Sequence, residues 1–211
     1  MGPGPHDGAA PTEVLVPIKA FSRAKLRLAP RLGPVERSRL ARAMAARVLA
    51  AAAPLPAVVV CDDRDVARFA AGHGARVEYT PNLGLNGAVA EAVRRARSRG
   101  VARVVVSHAD LPLAVELAAV ADFDGVTLVP DRHRQGTNVA SVPTAAPFEW
   151  SYGPRSFERH QAEAVRLGLP LRVLDAPALA WDVDLPDDME LPPDADVGAE
   201  VAALLGERPV P

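Results

Sequence analysis

The sequence predicts an α/β fold, with a mainly parallel central sheet, helices on both faces and a small antiparallel addition. Runs such as Val58-Val59-Val60 and Val104-Val105-Val106 are almost purely apolar, as in strands covered on both sides rather than half-exposed ones. These runs alternate with segments of helical period, which argues for crossover helices packed on a parallel sheet. A length of 211 residues, 49% of them hydrophobic, suits one domain with a sizeable core.

The elements follow in order. Glu13 to Ile18 is a short apolar strand, then comes a basic loop, then a helix opened by Gly33-Pro34 and running to about Ala52, proline being suited to a first helical turn. Ala57 to Cys61 is the second strand and Asp63 to Ala71 its helix, closed by Gly72 and Gly74 as helix C-termini prefer. Arg76 to Tyr79 gives a third strand, and the turn Thr80 to Gly84 leads into a helix from Asn86 to Ser98. Strand Arg103 to Ser107, helix Leu113 to Ala121 and strand Gly125 to Val129 continue the alternation. After Pro130 the rhythm changes: a polar loop to Gly136, a strand Asn138 to Val142 that enters as an antiparallel strand or hairpin over the site, and a helix Ser156 to Leu167. Leu171 to Leu174 and Leu179 to Trp181 return to the sheet, before a short helix from Asp187 and a terminal one, Ala195 to Leu205. Residues 1–12 read as a leader without structure, 13–205 as the domain and 206–211 as a tail.

Charge and composition exclude whole classes. A net charge of −2, from 24 basic and 26 acidic residues, gives no electrostatic footprint for nucleic acid or an anionic membrane. The apolar stretch Ala43 to Cys61 is broken by Arg47, Pro54 and Pro56, so no spanning segment is expected. The single Cys61 follows a valine run; it reads as a small buried hydrophobe and fits a reducing cytoplasm.

Candidate chemistry collects at strand ends, where open α/β sheets bind ligands. Asp110, Asp182 and Asp184 each follow an apolar run and precede a proline. Asp-X-Asp on an extended strand end would project both carboxylates to one face, a place for a divalent cation; the plainer alternative is that they cap the next helix. The loop after the first strand carries Lys19, Arg23, Lys25 and Arg27, cations placed to bind a polyphosphate, or simply a solvated basic loop. No GxxxxGK[ST] or post-strand GxGxxG occurs, which removes the main support for P-loop and dinucleotide-binding readings. Gly84-Leu85-Asn86-Gly87 opens a helix, where glycine permits close approach and an amide could meet a purine edge, although asparagine is also a common N-cap. Gly136-Thr137-Asn138 and Tyr152 to Phe157 add hydroxyls and a helix N-terminus, a ready anion site. His160 lies one turn further on and is more often structural in such a position.

Six ordered segments, VPIKAFSRAKLRL, GLNGAV, SHADLPL, VPDRHRQGTN, YGPRSFERH and WDVDLPDD, span about residues 13 to 190. Together they resemble the guanylyltransferases of deazaflavin coenzyme F-420 biosynthesis, the 2-phospho-L-lactate or phosphoenolpyruvate guanylyltransferase family. Ser107-His108 and Arg132 to Gln135 depart from the family's usual pattern. The resemblance implies a single-domain, Rossmann-like nucleotidyltransferase that joins GTP to a phosphorylated three-carbon acid and releases pyrophosphate. It places Mg²⁺ on Asp110, Asp182 and Asp184, the acid on Thr137, Gly153 and Ser156, and the nucleotide on Pro17, Lys19, Lys25, Gly84, Leu85 and Asn86. Lys19, Lys25 and Arg27 are then the catalytic cations that stabilise the leaving pyrophosphate. GTP and the acid are the expected partners, a homodimer is an open state of assembly, and neither nucleic acid nor membrane is expected. An Ala-, Arg- and Pro-rich composition of actinomycete type favours phosphoenolpyruvate as the acid, by analogy. A molybdopterin-type or sugar-phosphate nucleotidyltransferase and a non-catalytic relative are the competing readings.

Overall fold

The computed structural model describes residues 10–206; the expected leader and tail fall mostly outside that range. Seven strands form one sheet in the order β3-β2-β1-β4-β6-β5-β7. They are β1 (Thr12–Pro17), β2 (Ala57–Cys61), β3 (Arg76–Tyr79), β4 (Arg103–Ser107), β5 (Val126–Pro130), β6 (Thr137–Pro143) and β7 (Leu171–Val173). All run parallel except β6, which is antiparallel to both β4 and β5. The helices are α1 (Pro34–Ala51), α2 (Arg64–Gly72), α3 (Gly84–Ser98), α4 (Ser156–Arg166), the single turn α5 (Pro177–Ala180) and α6 (Ala199–Gly206).

The valine runs work because strand side chains alternate between faces. Val14 and Val16 of β1, Val59 and Cys61 of β2, Val105 of β4 and Val139 of β6 meet α1 and α2 on one side. Leu15, Val58, Val60, Val104, Val106 and Ala140 point the other way, toward α3 and α4. Both sets are buried, so the central strands β1, β2 and β4 must be apolar at nearly every position. A third cluster lies outside this sandwich, where Leu40 and Met44 on the outer side of α1 pack against Val183, Met189 and Val201, Leu204 and Leu205 of α6.

Four expectations are corrected. The expected antiparallel strand is present but does not lie over the site: β6 sits inside the sheet between β4 and β5, with every residue from Thr137 to Val142 buried. Residues 113–121 hold only a 3-10 stretch, Leu117–Ala121, because Pro112 precedes the segment and Glu116 stands in the left-handed region at φ 43°. Leu179 to Trp181 is not a strand. Pro177 opens the one-turn helix α5, and only Trp181 is extended, the sheet edge there being closed by β7. The terminal helix begins at Ala199 rather than Ala195, after Gly198 at φ 73°.

Candidate active site

The carboxyl ends of β1 and β4 open on a cleft of about 380 Å³, lined by Pro17, Lys19, Lys25, Arg27, Leu85, His108, Asp110 and Asp184 among others. Strands end there and cannot pair further, so their following residues are free to face a ligand. Lys25 adopts a left-handed backbone at φ 52° and sends its ammonium between two carboxylates, 2.5 Å from Asp110 Oδ2 and 2.8 Å from Asp184 Oδ1. Burial alone would lower the Lys25 pKa, but the charges of Asp110 and Asp184 raise it overall. Asp110 mirrors this: burial would raise its pKa, yet Lys25 and then His108 hold it below the usual carboxylate range. Both groups are charged near neutral pH. Lys19, Arg23 and Arg27 are exposed on the same loop, and among the described residues none forms an ion pair, leaving their charge available to an anion.

The loop carrying Asp182 and Asp184 is held by backbone and side chain together. Val183 N–H donates to Asp110 O at 3.2 Å, joining the two acidic segments. Asp188 accepts the N–H groups of Asp184 and Leu185 at 2.7 and 2.6 Å and pairs with Arg132. Arg132 also lies 4.3 Å over the Trp181 ring, so it braces this loop rather than facing the cleft. Asp182 accepts from Asn138 Nδ2 at 3.4 Å; burial, then the charges of Asp110 and Asp184, raise its pKa. That crowding is what a cation relieves. Asp110 Oδ1 is buried without a hydrogen-bond partner, and hard carboxylate oxygens suit Mg²⁺. The residues therefore fit the metal chemically. Among the described residues, however, no three His, Cys, Asp or Glu side chains are gathered as a ligand group, the Lys25 ammonium standing between Asp110 and Asp184 instead.

Thr137, Gly153 and Ser156 come together, but not among the residues that line this cleft. Thr137 N–H donates to Ser156 Oγ at 3.1 Å, and Ser156 N–H donates to Gly153 O at 3.0 Å. His160 Nε2 accepts Ser151 N–H at 3.0 Å, so in the neutral ring Nδ1 carries the proton and donates to Thr137 Oγ1 at 3.0 Å. Burial holds the His160 pKa down to about 4, in agreement with that tautomer. Both hydroxyls act here as acceptors, and Thr137 and Ser156 are buried and are not among the cleft-lining residues. His160 itself is fully buried and orients Thr137. Asn86 stands elsewhere than expected. Its Oδ1 accepts Tyr152 N–H at 2.7 Å and its Nδ2 donates to Tyr152 O at 3.3 Å, so the amide clamps the segment leading to Gly153. Gly84 and Leu85 do line the cleft system.

Sequence reasoning missed Asp188, whose signal was a further carboxylate at the start of the one-turn 3-10 helix, Pro186–Met189. It also missed Thr80, Asp62 and His108 as cleft-lining groups; a lone polar residue after a strand gives no pattern to detect.

The doubly wound sheet with a basic loop and acidic strand ends defines a nucleotidyltransferase fold. A solved protein from Desulfovibrio desulfuricans G20, provisionally described as a nucleotide-diphospho-sugar transferase, shares it at TM-score 0.68 and 19% identity, covering 86% of this chain and 85% of that one. A nucleotidyl transferase from a Methanothermobacter species does so at TM-score 0.59 and 17% identity, covering 84% and 93%. The particular family is given by sequence: the description "Guanylyl transferase CofC like" matches residues 12–191, and the chain belongs to that family. The phosphoenolpyruvate guanylyltransferase of Sphaerobacter thermophilus is 39% identical over 198 residues, covering 89% of this chain and 96% of the relative.

Proposed function

We propose that this chain joins GTP to phosphoenolpyruvate, giving enolpyruvoyl-2-diphospho-5′-guanosine and pyrophosphate, as a step of coenzyme F-420 biosynthesis. The observation that carries the reading is the Lys25 ammonium bridging Asp110 and Asp184 in a cleft flanked by Lys19 and Arg27, which form no ion pair among the described residues. Family membership and the name of the Sphaerobacter relative support the substrates.

In this reaction a phosphate oxygen of the acid attacks the α-phosphorus of GTP while the bond to the β-phosphate oxygen breaks and pyrophosphate leaves. The attacking phosphate is already ionised near neutral pH, so no general base is needed. Catalysis is positioning and charge neutralisation. Lys19, Lys25 and Arg27 take up the charge of the leaving pyrophosphate. The family resemblance assigns the acid to Thr137, Gly153 and Ser156, in a turn fixed by the Asn86 clamp. Mg²⁺, held by Asp110, Asp182 and Asp184, would supply Lewis-acid neutralisation of the phosphates. Among the described residues no helix is long and apolar enough to cross a membrane.

Purified protein with each nucleoside triphosphate, Mg²⁺ and each of phosphoenolpyruvate, 2-phospho-L-lactate and a panel of sugar phosphates, read as pyrophosphate release, tests the proposal. Turnover with GTP and phosphoenolpyruvate is expected. Turnover confined to 2-phospho-L-lactate would overturn the acid and keep guanylyl transfer; turnover confined to sugar phosphates would overturn both.

A further inference from the structure

The larger cleft continues into a second lobe of about 230 Å³, and the two share Ile18, Lys19, Arg23 and Leu85. Their chemistry differs. Lys25, Asp110 and Asp184 line only the larger lobe. The smaller one has apolar walls from Val60, Leu85 and Ala88 and carries Asp62 and Thr80. Such a lobe suits a flat, uncharged ring with polar atoms along one edge, joined through the shared Lys19 to a charged chain next door.

Two observations leave its polar groups without a protein partner among the described residues. Thr80 is 3% exposed and its Oγ1 has no hydrogen-bond partner among the described residues, a state that costs stability and calls for an explanation. Asp62 precedes α2, yet the helix is capped by Asp63, whose Oδ1 takes the N–H groups of Asp65 and Val66 at 2.9 and 3.0 Å. The Asp62 carboxylate is exposed and joins no hydrogen bond or ion pair among the described residues, while its backbone carbonyl is fixed by Tyr79 Oη at 3.0 Å. Asn86 lines neither lobe, its amide being engaged with the Tyr152 backbone.

We infer that this lobe reads guanine, with Asp62 accepting the N1–H and N2–H donors and the Thr80 hydroxyl donating to O6. An ionised carboxylate only accepts, so it matches the two adjacent donors of guanine and opposes the N1 acceptor of adenine. The inference deepens the proposed function and rests on GTP being the nucleotide.

Calorimetric binding of GTP, ITP and ATP to the wild-type chain, Asp62→Asn and Thr80→Val tests the lobe without turnover. The wild type is expected to prefer GTP over ITP, which lacks the 2-amino group, and over ATP. Asp62→Asn should weaken GTP about 10- to 100-fold and ITP less, so that the GTP-to-ITP ratio narrows. Thr80→Val should weaken GTP while holding or raising the melting temperature, since an unpaired buried hydroxyl is removed; a merely structural threonine would not separate the two readouts. Unchanged ratios in both variants, with the wild type preferring GTP, would overturn the inference and leave guanylyl transfer standing. Failure of the wild type to bind any of the three nucleotides would overturn both.

Discussion

At the scale of single residues, Lys25 holds together two carboxylates that would otherwise repel. Without it, Asp110 and Asp184 face each other uncompensated, and breaking a buried pair by removing one partner costs about 3–5 kcal/mol; Asp110 and Asp184 are partly exposed, so the cost here is smaller. Lys25→Ala is therefore expected to slow turnover and to be destabilised in chelated buffer, with added Mg²⁺ raising its melting temperature more than that of the wild type. Equal Mg²⁺ responses would argue that the carboxylates do not hold the metal. Asp110→Asn, Asp182→Asn and Asp184→Asn should each remove most pyrophosphate release while far-ultraviolet dichroism stays native, since each changes a charge and not a packed volume. A near-normal rate in any one would reduce that residue to a loop support. His160 gives a pH dependence whose sign is fixed. Its pKa is about 4 when folded and about 6.5 when unfolded, so its contribution is fully present above about 6.5 and is lost as pH falls toward 4. The size is about 3 kcal/mol. Urea unfolding at pH 7 and pH 4.5 should show that loss, and His160→Gln should reduce the difference.

At the scale of elements, short loops position the site because buried groups hold their backbones. The Asp182 to Leu185 segment has no sheet partner, so Asp188 and Arg132 do the work a ladder would do. Asp188→Ala is expected to slow turnover about 10- to 100-fold, as loss of an orienting partner does at metal sites, and to weaken Mg²⁺ binding in calorimetry. A lowered melting temperature with unchanged Mg²⁺ affinity would make Asp188 a fold support only. The helix α3 reaches across the sheet end through Asn86 to the Tyr152 backbone. That role was invisible in the sequence, where an asparagine at a helix start resembles a cap or a ligand contact equally.

At the scale of the whole molecule, the sheet sandwich is extended by α6 against the outer side of α1. Leu204 is fully buried there with Leu40 and Met44. Leu204→Ala should cost about 2–5 kcal/mol, as buried leucine truncations do, read as a lower urea midpoint at unchanged slope. A loss below about 0.5 kcal/mol would show that α6 contributes little to the fold.

The sequence by itself determined β2, β3 and β4 to the residue and α1 within one residue, because continuous valine runs and glycine or proline boundaries are local signals. Of the residues it singled out, Pro17, Lys19, Lys25, Arg27, Leu85, Asp110 and Asp184 line one cleft, while Asp182, Asn86, Thr137, Gly153 and Ser156 do not. Only the tertiary structure decided that β6 enters the middle of the sheet in reverse, that Leu179 forms a helical turn, and that the Asn86 amide binds Tyr152. Strand order, edge closure and the partner of an amide depend on contacts between residues far apart in the chain. Period and propensity carry no information about which distant group fills a given space.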